Sequence, residues 1–279
     1  MVLGILLALS AVIAAVIAGF TGAFSCLAWL WVLPVSFVAS FLVIILLAFL
    51  LLVVACAFVD PDKPREEDNR FFRLLVKIYP GLILSVLPIK VHTRGLENIP
   101  KSGRFLLVSN HLHEADVVVL LHYFRKSQLA FISKRENRDM FLVGKIMSQI
   151  LCQLVNREND REALKTILKC IQLIKEDKCS VSVFPEGYIH NDRKFQPFRP
   201  GVFKIAQKAK VPIVVCTLQG TEHVVKNTLR LKPSEVQLHL LEVLPADFWE
   251  GKTTVQVSDY IHDLMAKDLD PSYLMEENP

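Results

Sequence analysis

The chain has 279 residues, with 32 Lys and Arg against 28 Asp and Glu, for a net charge of +4. No basic block with interleaved aromatics argues for nucleic acid, and a membrane surface or a phosphate-bearing substrate would explain the small excess as well. Six cysteines, at positions 26, 56, 152, 170, 179 and 216, form no Cys-x-x-Cys pair, which argues against a disulfide framework or a zinc site and for reduced thiols.

Residues 1–59 contain no Asp, Glu, Lys or Arg, and the chain turns polar at Asp60. A stretch this apolar belongs in a bilayer rather than in the core of a soluble domain. One straight helix over it would run about 88 Å at ~1.5 Å per residue, against a hydrocarbon thickness of ~30 Å, so the chain must turn. Gly19-Phe20-Thr21-Gly22 is one place for the turn, and Pro34 after Trp29-Leu30-Trp31 is the other. The expectation is a membrane hairpin of two helices, about Val2–Phe20 and Val35–Val59. A signal peptide fits poorly, because the segment lacks a basic start and its apolar run is too long. Lys63, Arg65, Arg70, Arg73 and Lys77 follow the second helix and, by the positive-inside tendency, anchor the charged part on the cytoplasmic side. A hairpin confined to one leaflet would give the same placement.

Asp60–Asp68 reads as a short polar linker. Phe71–Tyr79 mixes large apolar residues with cations, which suits either an interfacial helix or a helix packed on the following domain. The predicted division is residues 1–59 as membrane hairpin, 60–93 as linker and interfacial helix, and 94–279 as one α/β domain. Within that domain, short apolar runs predict strands at Arg104–Ser109, Gln128–Ser133, Leu151–Val155, Ser180–Phe184, Pro212–Leu218 and Val236–Val243. Helical spacing predicts helices at Asp116–Phe124, Glu136–Gln149, Asp160–Lys175, Gly201–Lys208 and Val255–Lys267. The alternation predicts a mixed, largely parallel sheet flanked by helices.

Ser109-Asn110-His111-Leu112-His113-Glu114-Ala115-Asp116 lies between a predicted strand and a predicted helix. On a regular helix a His and an Asp five residues apart lie roughly 140° from each other. They meet only if His111 sits in the turn and Asp116 in the first helical turn. The carboxylate then orients one ring nitrogen and leaves the other as a base, an arrangement that needs no protein nucleophile when the substrate brings its own hydroxyl. The same pattern also fits two polar residues at a helix start, with Asp116 aiding the dipole. Val183-Phe184-Pro185-Glu186-Gly187-Tyr188 ends another strand in a turn whose Glu186 could bind substrate hydroxyls or simply cap the loop. Arg157 ends a third strand and could grip a phosphate or pair with Glu158 or Asp160; Lys134 ends a fourth.

His-x4-Asp, then Arg157, then Pro185-Glu186-Gly187, then Val211-Pro212-Ile213-Val214-Val215 resembles, in order and spacing, the four blocks of the glycerolipid acyltransferase family, of the 1-acyl-sn-glycerol-3-phosphate O-acyltransferase type. The likeness spans about Leu96 to Thr221, and the apolar hairpin agrees with it. It implies His111 as general base, Asp116 as its orienter, Arg157, Glu186 and Gly187 as contacts to a glycerol phosphate, and the fourth block as an acyl-chain wall. There are departures. The third block continues with Tyr188-Ile189 where the family usually has Thr and then Arg or Ser, Cys152-Gln153 stand where the second block usually carries a Gly, and Val215 or Cys216 stands for a usual Pro. Arg193, Lys194 and Arg199 follow the altered block and either replace the missing cation or stay solvated.

The implied reaction is acyl transfer from a thioester, acyl-CoA or acyl carrier protein, to the hydroxyl of a lysophospholipid, lysophosphatidic acid first, with no metal or other cofactor. Backbone N–H groups at the helix start are the expected oxyanion donors. Glycerol-3-phosphate or another lysophospholipid is the nearest rival acceptor. A lipid-binding paralogue without turnover would explain Tyr188, and a lipid hydrolase would need a nucleophile such as Ser109 beside His111.

Overall fold

A computed structural model describes residues 2–63, 65–156 and 159–275. Helices α1 (Val2–Phe20) and α2 (Trp29–Ala57) form the hairpin. Both are long and apolar enough to cross a membrane by length and composition. They meet along small residues: Ser10, Ala14 and Ala18 of α1 are buried at a spacing of four, and the Ser40 hydroxyl of α2 donates to Ser10 O at 3.2 Å. Small side chains at that spacing let two helix backbones approach closely. The remaining surface of both helices exposes Leu, Ile, Val and Phe. The turn falls at the glycines, where Gly22 takes a left-handed φ of 66° before a 3-10 turn at Ala23–Ser25. Pro34 does not break the chain, and α2 begins six residues earlier than expected. Near the start of a helix a proline removes only one backbone bond, and its ring already has helical φ.

Helix α3 (Arg70–Val86) follows the polar linker and is capped by Asn69, whose side-chain oxygen accepts from the N–H groups of Phe71 and Phe72. Part of its apolar surface is covered by the fold, while Phe71 and Leu74 stay exposed. Phe72, Leu75 and Val76 pack with Leu52, Ala55 and Cys56 of α2 and with Ile150. Tyr79 Oη donates to Ala48 O at 2.6 Å. Arg73, expected among cations facing headgroups, is only 5% exposed. Its guanidinium pairs with Asp68 at 2.7 Å and donates to Leu129 O at 2.8 Å and Ile150 O at 3.1 Å. The linker is fastened as well, through Lys169–Glu66 at 3.1 Å and Lys178–Glu67 at 3.2 Å.

The sheet begins at β1 (Ile89–Arg94), inside the segment expected to be linker. Then come β2 (Leu106–Ser109), α4 (Ala115–Tyr123), β3 (Leu129–Lys134), α5 (Phe141–Gln149), β4 (Gln153–Val155), α6 (Asp160–Lys175), β5 (Ser180–Val183), α7 (Lys204–Ala209), β6 (Ile213–Gln219), α8 (Val224–Leu229), β7 (Ser234–Leu244) and α9 (Thr254–Ala266). The predicted helix over 136–149 is split into a 3-10 turn at Arg135–Asp139 and α5, with Met140 extended between them. The strand order is β1-β7-β6-β2-β5-β3-β4. Strands β2 to β6 run parallel; β7 is antiparallel to β6, and β1 is parallel to β7. The sheet is therefore mixed and mostly parallel, with helices on both faces. Successive residues of β2 serve opposite cores. Leu106 and Val108 join Phe203, Ile205 and Ile261, while Leu107, with Phe105 just before the strand, joins Val119, Leu120 and Phe124. Every residue of β6 is buried, as a strand covered on both faces requires. Because β2 to β6 share one direction, their C-terminal ends share one edge, and the loops beyond that edge build the site.

Candidate active site

The corner between β2 and α4 brings His111 and Asp116 together. His111 Nδ1 lies 2.8 Å from Asp116 Oδ2. The same oxygen accepts from the backbone N–H of Leu112 at 2.8 Å and of His113 at 3.0 Å. Asp116 is fully buried, whereas the His111 side chain keeps 16% exposure. With Nδ1 engaged by the carboxylate, Nε2 is left with no hydrogen-bond partner among the described residues, the arrangement expected of a base awaiting an acidic proton. The backbone N–H groups of Leu112 and His113, in the turn before α4, are therefore spent on Asp116 and are not free for an oxyanion. A buried carboxylate needs several donors, and these two are the nearest.

Two further contacts fix the corner. Asn110 pairs with the peptide of Leu218 on β6, Nδ2 to O at 2.8 Å and N to Oδ1 at 2.7 Å. This stitches the end of β2 to its neighbour just before His111. The ring of Phe184 stacks on that of His111, with centroids 3.9 Å apart and planes 10° from parallel. Ser109 is buried and its hydroxyl donates to Asn110 O at 3.3 Å, so it is not hydrogen-bonded to His111.

Glu186 reaches the same corner from the turn after β5, but as a brace. Its Oε1 accepts from the backbone N–H of His111 at 2.8 Å and its Oε2 from that of Gln196 at 3.0 Å. At 4% exposure its carboxyl faces backbone rather than open space. Burial pushes its pKa up to about 8, aided by the nearby Asp116 charge and opposed by the two N–H donors. Gly187 holds a φ of 90°, and a Cβ there would also lie 2.9 Å from Arg199 Nε. The turn thus requires glycine on backbone grounds. Tyr188 is exposed and packs its ring on His190, with centroids 4.1 Å apart.

The cations are spread out. Lys134 ends β3 on the same edge but is exposed, and β5 separates its strand from β2, a lateral offset of roughly 10 Å at ~4.8 Å per strand. Arg157 lies outside the described residues. Arg193 donates to Leu112 O at 2.7 Å, one residue from His111, whereas Lys194 donates to Ser272 O at 2.9 Å. Arg199 is exposed beside Gly187. Asn110, Phe184 and Thr221, whose hydroxyl reaches Asp116, were not expected from sequence. Their partners are distant in the chain; the only local hint was a large aromatic directly before Pro185-Glu186-Gly187.

The corner thus holds an imidazole, partly open to solvent, against a buried carboxylate, and the comparisons supply the family. The family model described as Acyltransferase matches residues 90–219. A probable 1-acyl-sn-glycerol-3-phosphate acyltransferase of Mycoplasma pneumoniae is 30% identical over 217 residues, covering 76% of this chain and 79% of that protein. A 1-acyl-sn-glycerol-3-phosphate acyltransferase of Chlamydomonas reinhardtii is 30% identical over 246 residues, covering 84% of this chain and 68% of that one. The crystal structure of the 1-acyl-sn-glycerophosphate (LPA) acyltransferase PlsC from Thermotoga maritima superposes with a TM-score of 0.59 at 24% identity, covering 70% of this chain and 77% of that one, which establishes the shared fold. The chain belongs to the glycerolipid acyltransferase family, of the 1-acyl-sn-glycerol-3-phosphate O-acyltransferase type, and is an acyltransferase.

Proposed function

We propose that the protein is a membrane-anchored enzyme that transfers a fatty acyl group from a thioester, acyl-CoA or acyl carrier protein, to the free hydroxyl of lysophosphatidic acid, giving phosphatidic acid. The observation that carries this is the contact of His111 Nδ1 with a buried Asp116 at 2.8 Å, with Nε2 left open. Nε2 removes the hydroxyl proton as the oxygen attacks the thioester carbonyl. The carbon–sulfur bond breaks, and the imidazolium returns the proton to the departing thiolate. Asp116 holds the tautomer and stabilises the imidazolium in between. Phe184 and Glu186 keep the ring and its backbone in place. No acyl-enzyme and no metal enter this sequence.

What supports a phosphate-bearing acceptor is the set of relatives that bear that substrate in their names, together with Arg193 beside Leu112 and Arg199 beside Gly187. Arg157 and Lys134 are further proposed contacts to the phosphate. The apolar, exposed surface of α1 and α2 supports insertion in a bilayer, and the cations after α2 support a cytoplasmic domain. The test uses full-length protein in detergent with labelled acyl-CoA and lysophosphatidic acid. His111→Ala should lower the rate by roughly 10²- to 10⁴-fold, with Asp116→Asn also impaired. Undiminished turnover by H111A would end this mechanism. A panel of lysophospholipids and glycerol-3-phosphate crossed with both donors, read by lipid mass spectrometry, decides the acceptor.

A further inference from the structure

The second oxygen of Asp116 is held from a different part of the fold. Oδ2 takes the three N–H donors of its own corner, and Oδ1 accepts the hydroxyl of Thr221, 105 residues away in sequence. Thr221 lies two residues beyond the end of β6 and is fully buried. Its approach is tightly determined. Gly220 has a φ of 84°, and a Cβ on it would stand 2.3 Å from Glu235 O, so only glycine makes this turn. On either side of Thr221, Tyr273 Oη accepts from Gly220 N at 3.1 Å and donates to Glu222 Oε1 at 2.7 Å. A hydroxyl delivered by that many constraints onto the one remaining face of the carboxylate has a purpose beyond filling space.

We propose that Thr221 is a positioning residue for acyl transfer: its hydroxyl locks Oδ1 of Asp116, and through it the orientation and charge of the partner of His111. The inference rests on the His111 general-base reading. Without Thr221 the carboxylate is anchored through one oxygen only. It is then free to rotate away from the plane of the imidazole, and it carries more negative charge toward His111. Proton transfer through the pair then depends on a carboxylate whose angle and charge are no longer fixed. The strand carrying the apolar fourth block therefore also ends in part of the proton-transfer machinery.

The charged and titratable groups around the pair are His113 and Glu114 from the same corner, Glu186 from the turn after β5, Arg193 from the following loop, and Glu222 beside Thr221. All stay in place in variants at Thr221. In full-length protein, Thr221→Val should lower kcat roughly 10- to 100-fold at pH 7, with KM for lysophosphatidic acid unchanged. The acid limb of its rate profile should shift by up to roughly one pH unit, a change that lost packing alone would not cause. Thr221→Ser should restore both readouts, whereas Thr221→Cys, equal to Ser in shape but a weak donor, should behave like the Val variant. The Ser–Cys comparison serves also if T221V does not fold. An unshifted, active T221V, or equal impairment of the Ser and Cys variants, overturns the role of Thr221 while leaving an inactive H111A to uphold the base. A fully active H111A overturns both.

Discussion

Asp116 accepts four hydrogen bonds, from His111, Leu112, His113 and Thr221. Four donors satisfy the lone pairs of a fully buried carboxylate and so offset the cost of burying it. Glu186, on the neighbouring turn, has two donors, and burial raises its pKa to about 8. For an acid raised in this way, the folded state holds the proton more tightly than the unfolded chain. Its contribution to stability is complete below the unfolded value of 4.5 and is lost as pH rises through about 8. Thermal unfolding of wild type against Glu186→Gln, followed from pH 5 to pH 9, should show a decline in the wild type over that interval which the variant lacks. Parallel profiles would mean that Glu186 does not titrate there. Much of this chemistry was legible: His111 and Asp116 are close in sequence, and a strand-to-helix corner closes their gap. The clamp on Leu218, the Phe184 stack and the Thr221 hydroxyl were not, because each joins segments that only the finished sheet brings together.

Among the elements, those with continuous apolar runs or a capped helical stripe were readable. Helix α6 falls on its expected residues because Asn159 caps it and its stripe is regular. Strand β1 was missed because Ile89-Lys90-Val91-His92-Thr93-Arg94 carries only two apolar residues and lies at the sheet's edge. Helix α3 shows the limit of composition: Phe71–Tyr79 looks interfacial, yet Arg73 points inward and joins the linker, β3 and the end of α5 in one cluster. Arg73→Leu would leave the half-buried Asp68 without its cation and two carbonyls without donors. It should destabilise the fold by about 3–5 kcal/mol. Denaturant unfolding in mild detergent measures this, and a loss below about 1 kcal/mol would place Arg73 among surface ion pairs.

At the scale of the molecule, the hairpin is not a detachable tail. The last turns of α2 share a core with α3 and Ile150. Deleting residues 1–59 should uncover Phe72, Leu75 and Val76 and leave a catalytic domain that aggregates without detergent, as light scattering would reveal. A monodisperse, active truncated domain would show that the seam is dispensable. The seam also sets a height. Tyr79 grips α2 at Ala48, so about 28 Å of that helix, at ~1.5 Å per residue, projects beyond the grip, close to the ~30 Å thickness of hydrocarbon. On the proposed membrane reading, that collar is the waterline of a float and limits how deeply the hairpin can sink.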